Sequence, residues 1–255
     1  MTDFTYIVFT DDHLIVTHKP EKVFVHRPED WGTGETPFLQ KIRDLLGFPV
    51  FPVHRLDRAT SGLLMFARTQ QAASELGKLF LDRKVNKTYL ALVRGFTPAN
   101  GVIDKPLRPR PKPGRAPKNA QPSVTNYQSD QFFELPICSD RYPTTRCTLL
   151  TAEPQTGRWH QIRRHLNHIH HPILGDTSHG DNTQNRFFRQ QFQLDRLMLA
   201  ATRLEFTHPF TGSPISVHCP PDHSFESLIT KLLPYRVYLH QASPEIRPES
   251  ELNTD

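Results

Sequence analysis

VHRLDRATSGLLMFART (Val53–Thr69) places Asp57 between Arg55 and Arg58, then runs into Leu63-Leu64-Met65-Phe66-Ala67. An apolar run this short, bounded by turn-prone residues, reads as a buried strand over 62–68. Asp57 at its mouth is therefore either half of a structural ion pair or a reactive carboxylate held in place. Downstream, Thr69 caps a helix whose Ala72, Leu76, Leu79 and Phe80 recur at helical spacing. Upstream, Thr36 as N-cap and Pro37 at the first helical position open a helix that runs to about Leu46 and stops at Gly47. YIVF (Tyr6–Phe9) and HLIVTH (His13–His18) read as a hairpin. TYLALVRG (Thr88–Gly95) is a further strand, with others expected over 124–128, 145–152, 197–206 and 215–218, and helices over 159–169 and 224–233. Elements in this order predict an α+β fold: a mostly antiparallel mixed sheet with flanking helices. Residues 1–238 are expected to form one catalytic domain. The stretch 239–255, with its prolines and acidic residues, is expected to be a disordered tail.

At 255 residues the chain is long enough to bury a sizeable core. With 36% hydrophobic residues and a mean hydropathy of −0.53, it has no run near the ~20 apolar residues of a membrane span. MTDFTYIVFTDDH lacks the basic start and apolar stretch of a signal peptide. Cys138, Cys147 and Cys219 are widely spaced and in no Cys-x-x-Cys pair, as in a reduced cytoplasmic protein. The net charge of +5 is a mild bias, but its distribution is uneven. KPLRPRPKPGRAPK (Lys105–Lys118) carries six positive charges and no negative one. Its prolines exclude helix and central strand. Such a segment is either a solvated linker or an arm along a phosphate backbone.

GRWHQIRRHLNHIHH (Gly157–His171) carries an apolar stripe at Ile162, Leu166 and Ile169. Arg163 lies at the edge of that stripe and can reach a buried carboxylate, whereas Arg164 points away, toward solvent or a phosphate. The histidines His165, His168, His170 and His171, followed by Asp176, His179 and Asp181, invite a metal reading. There is no His-Glu-x-x-His, and His165 and His168 do not share a face with suitable partners, so no metal is expected and the histidines read as part of a basic surface.

Three separated motifs together resemble a known family. HRLDRATSG, NKTYLALVRG (Asn86–Gly95) and TGRWHQIRRHL followed by HPILGD are similar, in that order, to the motifs of the RluA-type pseudouridine synthases, over nearly the whole chain to about Pro220. Within that family RYPTTR, GDTSHGDNTQNR and THPFTG resemble the tRNA-acting type C branch, which isomerises uridine 65 of the T stem. Only 53 residues precede His54, so the extra RNA-binding S4 domain of many ribosomal-RNA members is not expected. One departure is Leu197-Met198-Leu199-Ala200-Ala201, where the family usually has His in place of Ala200.

The resemblance implies the pseudouridine synthase fold and a cofactor-free isomerisation in which the C1′–N1 bond breaks, the base turns, and C1′ rejoins at C5. It implies Asp57 as the catalytic carboxylate, whether it attacks C1′, adds to C6 or removes a ribose proton. It implies Tyr89 as a stacking face for the uracil, and Arg55 in the space left by the flipped base. A desolvated carboxylate needs a cationic neighbour to stay ionised, and Arg163 is the candidate. The expected partner is tRNA and the expected state a monomer. The alternatives are a synthase acting on ribosomal RNA, a non-catalytic RNA-binding protein that keeps the fold, and a metal-dependent hydrolase.

Overall fold

The computed structural model describes residues 6–26, 35–111, 114, 116, 118–139 and 142–238. The stretch 239–255, read above as a tail, lies outside them, as do four residues of the basic segment. The N-terminal hairpin is β1 (Ile7–Thr10) and β2 (Leu14–Lys19), followed by α1 (Phe38–Leu46). The opening stretch holds β3 (Phe51–Pro52) and β4 (Ser61–Ala67), with α2 (Gln70–Leu81) behind it. Then come β5 (Asn86–Arg94), β6 (Asn100–Asp104), β7 (Val124–Leu135) and β8 (Thr145–Pro154). The C-terminal third adds α3 (Gln161–His168), α4 (Asn182–Phe192), β9 (Leu199–Thr207), β10 (Pro214–His218), α5 (His223–Leu232) and β11 (Arg236–Val237).

All eleven strands join one sheet, in the order β1-β2-β4-β9-β5-β8-β7-β11, with β3 on β4, β6 on β7 and β10 on β9. Every pairing is antiparallel except β4 with β9, a parallel contact of two residue pairs, Ser61–Ala200 and Gly62–Ala201. Two antiparallel halves thus meet along a short seam, and the opening stretch enters the sheet there. Gly62 is required at this crossing. Its φ is +108°, and a Cβ would stand 2.1 Å from the Ala201 carbonyl oxygen.

β4 is buried along its whole length because both faces are covered. Leu63, Met65 and Ala67 pack with Ala72 and Leu76 of α2. Leu64 and Phe66 pack on the other side with Phe38 and Ile42 of α1. A third cluster lies beyond the seam, under α3, α4 and α5. Ala200 belongs to it, fully buried and facing Ser61 and Leu90 across the sheet.

Thr69 caps α2 as expected, its Oγ1 accepting the Ala72 N–H at 3.1 Å. At α1 the boundary moves by one residue. Pro37, not Thr36, occupies the N-cap position, and Gly47 closes the helix in the left-handed region. Helix α4 is not among the sequence expectations. Asp181 caps it, accepting the N–H groups of Thr183 and Gln184. β7 also runs seven residues past Gln128, pairing with β8 on either side of a bulge at Asp130.

Candidate active site

Asp57 sits on a turn before β4, its carbonyl accepting the Thr60 N–H at 3.1 Å. His54 fixes the base of this loop. Its ring stacks on Phe80 at 4.5 Å, and Nε2 accepts the Met65 N–H at 3.0 Å. Burial, with the nearby Lys87 charge, lowers the His54 pKa to about 3, so the ring stays a neutral acceptor. From the other side Lys19, fully buried at the end of β2, donates through Nζ to the carbonyls of Pro20, Val23 and Arg58. Burial lowers its pKa to about 7 against the opposing pull of Asp57 and Glu21. These two contacts pin the loop and leave the Asp57 side chain 25% exposed.

Arg163 comes from the first turn of α3 and is 4% exposed. Its Nε and Nη2 donate to the two oxygens of Asp176, each at 2.7 Å, while Nη1 reaches Asp57 Oδ2 at 3.5 Å. The pairing with Asp57 is present, but the stronger grip is on Asp176, which lies in the loop between α3 and α4. Asp176 also accepts the N–H groups of Ser178 and His179. Burial opposes its charge, and Arg163 with these amides outweighs burial and lowers its pKa. Burial likewise works against the Arg163 charge, yet the two carboxylates raise its pKa on balance. The fork is thus held in place by one carboxylate and presents its remaining edge to the other.

Tyr89 lies on β5, beside the seam, partly buried against two of the hydrophobic clusters. Burial, reinforced by the Asp57 charge, pushes its phenol well above the usual range. His160 precedes α3 with φ +51°, and its Nε2 stands 3.8 Å from Asp57 Oδ2. Asp57, Tyr89 and Arg163 therefore converge from three elements. Arg55 is exposed two residues before Asp57. Arg58 does not turn toward Asp57: its guanidinium lies 5.3 Å over the Phe24 ring and 3.5 Å from Glu35. The turn at 57–60, rather than strand alternation, sends the two side chains apart.

Two sequence expectations for α3 need correction. Arg164 is half-buried over the Trp159 ring, and its Nη1 donates to the Arg108 carbonyl at 2.8 Å. His165 is not a surface histidine. It is fully buried, bonded to Thr125 Oγ1 at 2.9 Å and to the Lys105 carbonyl at 3.0 Å. Both side chains hook the root of the basic segment, where Leu107 is buried and bridges to Gln121. Lys105, Arg108, Arg110 and Lys118 are exposed on that segment.

The profile of the family described as RNA pseudouridylate synthase matches residues 13–168, a span that takes in Asp57, Tyr89 and Arg163. The chain belongs to this family. A relative from Vibrio cholerae, "tRNA pseudouridine synthase C", is 43% identical over 232 residues, covering 88% of this chain and 94% of the relative. The protein of the same name from Pasteurella multocida is also 43% identical, over 230 residues, with the same coverage. Among solved structures, human RNA pseudouridylate synthase domain containing 4 superposes with a TM-score of 0.69 at 24% identity, covering 89% of this chain and 92% of that one. The pseudouridine synthase fold with its α+β sheet is thus shared. His160 is the site residue that sequence reasoning passed over, and Asp176, weighed there only as a metal ligand, is instead the partner of Arg163. A carboxylate followed by Ser178 and His179 on a tight turn is the pattern that marks Asp176, since such side chains collect nearby backbone N–H groups.

Proposed function

We propose that the chain converts uridine to pseudouridine in tRNA, at uridine 65 of the T stem, with Asp57 as the nucleophile. The carrying observation is the Asp57 carboxylate, open to solvent on one side and approached on the other by an arginine locked to Asp176. A lone carboxylate held this way suits the oxocarbenium-like charge that develops as the C1′–N1 bond breaks. Glycoside hydrolysis needs a second carboxyl group free to activate water. Asp176 is only 1% exposed and its acceptors are occupied, which favours rejoining C1′ to C5 over attack by water.

Tyr89 offers the uracil a ring face. With its phenol pushed upward by burial, the hydroxyl keeps its proton at neutral pH, which fits stacking and not base catalysis. Extruding the base costs a few kcal/mol, and Arg55 is free to occupy the vacated space. The exposed cations between Lys105 and Lys118 would follow the RNA phosphates. The two bacterial relatives, both named for tRNA, support that substrate over ribosomal RNA. We read residues 1–238 as one catalytic domain, active as a cytoplasmic monomer without metal or coenzyme. Among the described residues no helix is long and apolar enough to cross a membrane.

The test is pseudouridine mapping of tRNA and ribosomal RNA in a deletion strain and its complemented parent. Loss of the tRNA position 65 signal alone is expected. Loss confined to ribosomal RNA would overturn the substrate, and an unchanged map would overturn the activity.

A further inference from the structure

Beside Asp57 stands a pair of imidazoles that the reading above leaves without a task. His160 Nδ1 and His179 Nε2 are 2.8 Å apart, and the far nitrogen of His160, Nε2, faces Asp57 Oδ2 at 3.8 Å. Trp159 clamps both rings: it stacks on His160 at 4.4 Å and meets His179 edge-on at 5.9 Å. The backbone of His160 is held in the left-handed region, which few residues other than glycine adopt without cost. His160 and His179 are both half-buried, and His179 belongs to the loop after Asp176. The row runs from the reacting carboxylate through one ring to a second that is partly open to water.

Pseudouridine formation needs such an exit. The C1′–N1 bond breaks and the C1′–C5 bond forms, so the proton on C5 must leave while N1 takes one up from water. We propose that His160 and His179 relay the C5 proton from Asp57 to bulk water. The inference rests on the isomerase reading of the site. Asp57, released from the sugar as C1′–C5 closes, accepts the C5 proton. It passes this proton to His160 Nε2, and the His160 ring gives up its Nδ1 proton to His179 Nε2. His179 then loses its Nδ1 proton to water. The net charge is restored, both rings stand in the opposite tautomer and return to the first by proton exchange with water before the next turnover, and no oxidant, reductant or co-reactant is consumed. The 2.8 Å contact with His179 is satisfied by a proton on either nitrogen, and with that proton on His160 Nδ1 the Nε2 atom is left to accept from the carboxyl group 3.8 Å away.

The groups facing the pair fit a relay and not a trap. Burial, with Arg163 and His179, lowers the His160 pKa to about 4 against the pull of Asp57 and Asp176. A ring lowered that far binds a proton weakly and passes it on. His179 is also lowered by burial, with Arg163 and Arg164 acting with burial and Asp176 and Asp57 against it. Neither ring holds the proton it receives. As both act through Asp57, they are positioning and relay residues.

The experiment is single-turnover conversion of a tRNA carrying protium or deuterium at uridine C5, with the full chain as wild type, His179→Ala and His160→Gln. In wild type the C5 step is fast, and the isotope ratio is expected to be unity. In His179→Ala the rate should fall roughly tenfold to a hundredfold, the ratio should rise clearly above unity, and added imidazole should restore both. A slow variant whose ratio stays at unity, or which imidazole does not rescue, overturns the relay and leaves the pair as packing. An unchanged rate overturns it as well. A wild-type chain that makes no pseudouridine would instead bring down the isomerase reading on which the relay depends.

Discussion

Arg163 and Arg196 are both almost fully buried, and each grips an aspartate, yet only Arg163 also reaches Asp57, the acid proposed to react. Arg196 has no edge to spare. Its Nη1 is spent on Asp222 and Ser224, its Nη2 on Ser61 and its Nε on the Leu197 carbonyl, with Glu21 at 3.2 Å. Arg163 fills two of its three nitrogens with Asp176 and leaves the third facing a carboxylate open to solvent. Burial and charge are the same in both; what differs is saturation. A fully satisfied fork is a rivet, and a fork with one free edge beside an exposed acid is a tool.

Asp57→Asn is the severest way to sharpen that contrast. Isomerisation should fall at least about 10³-fold in single-turnover assay, while the melting temperature shifts by no more than about 2 °C because the side chain is not core. Removing the rivet should do the reverse. Arg196→Met leaves the half-buried Asp222 and Glu21 without their partner and should cost about 3 kcal/mol, the low end for a broken buried pair, read as a fall of roughly 6–10 °C in melting temperature, with turnover of the folded fraction largely kept. Arg163→Met should lower both, and equal behaviour of the two arginine variants in both assays would break the comparison. At Tyr89, Phe should retain most activity and Ala should lose about 10²-fold or more; equal losses would move the role from the ring to the hydroxyl.

The smallest effect is on pH. His54 and His160 have folded pKa values of about 3 and about 4, below the ordinary 6.5. Between those limits the unfolded chain binds more protons than the folded one, so stability is lost as pH falls below about 6.5. Thermal melts between pH 7 and 5 should show this, and His54→Asn should flatten the slope.

Much of this was legible in residue order. The buried strand through Leu63–Ala67, the Thr69 cap, the strand bearing Tyr89 and the stripe that turns Arg163 inward all follow from local pattern. Helix α4 did not, because NTQNRFFRQQF has too few apolar residues to show a helical stripe, although Asp181 was a readable cap. The role of Asp176 escaped because its partner lies 13 residues away on a helix, and no periodicity links a loop carboxylate to it. Arg164 was misplaced for a related reason. Its direction from the stripe was sound, but the chain that covers that side comes from residue 108, which helical geometry alone does not reveal.

The parallel seam between β4 and β9 carries a consequence for how the molecule comes into being. Ser61 meets Arg196 across 135 residues of chain, and Gly62 can nest against Ala201 only once that distant strand exists. The half bearing Asp57 cannot be finished until most of the polypeptide has been synthesised, since a pairing this remote must await loop closure. During translation the ribosome thus extrudes Asp57 before the guanidinium of Arg163, and the two are brought together only when the late strand arrives.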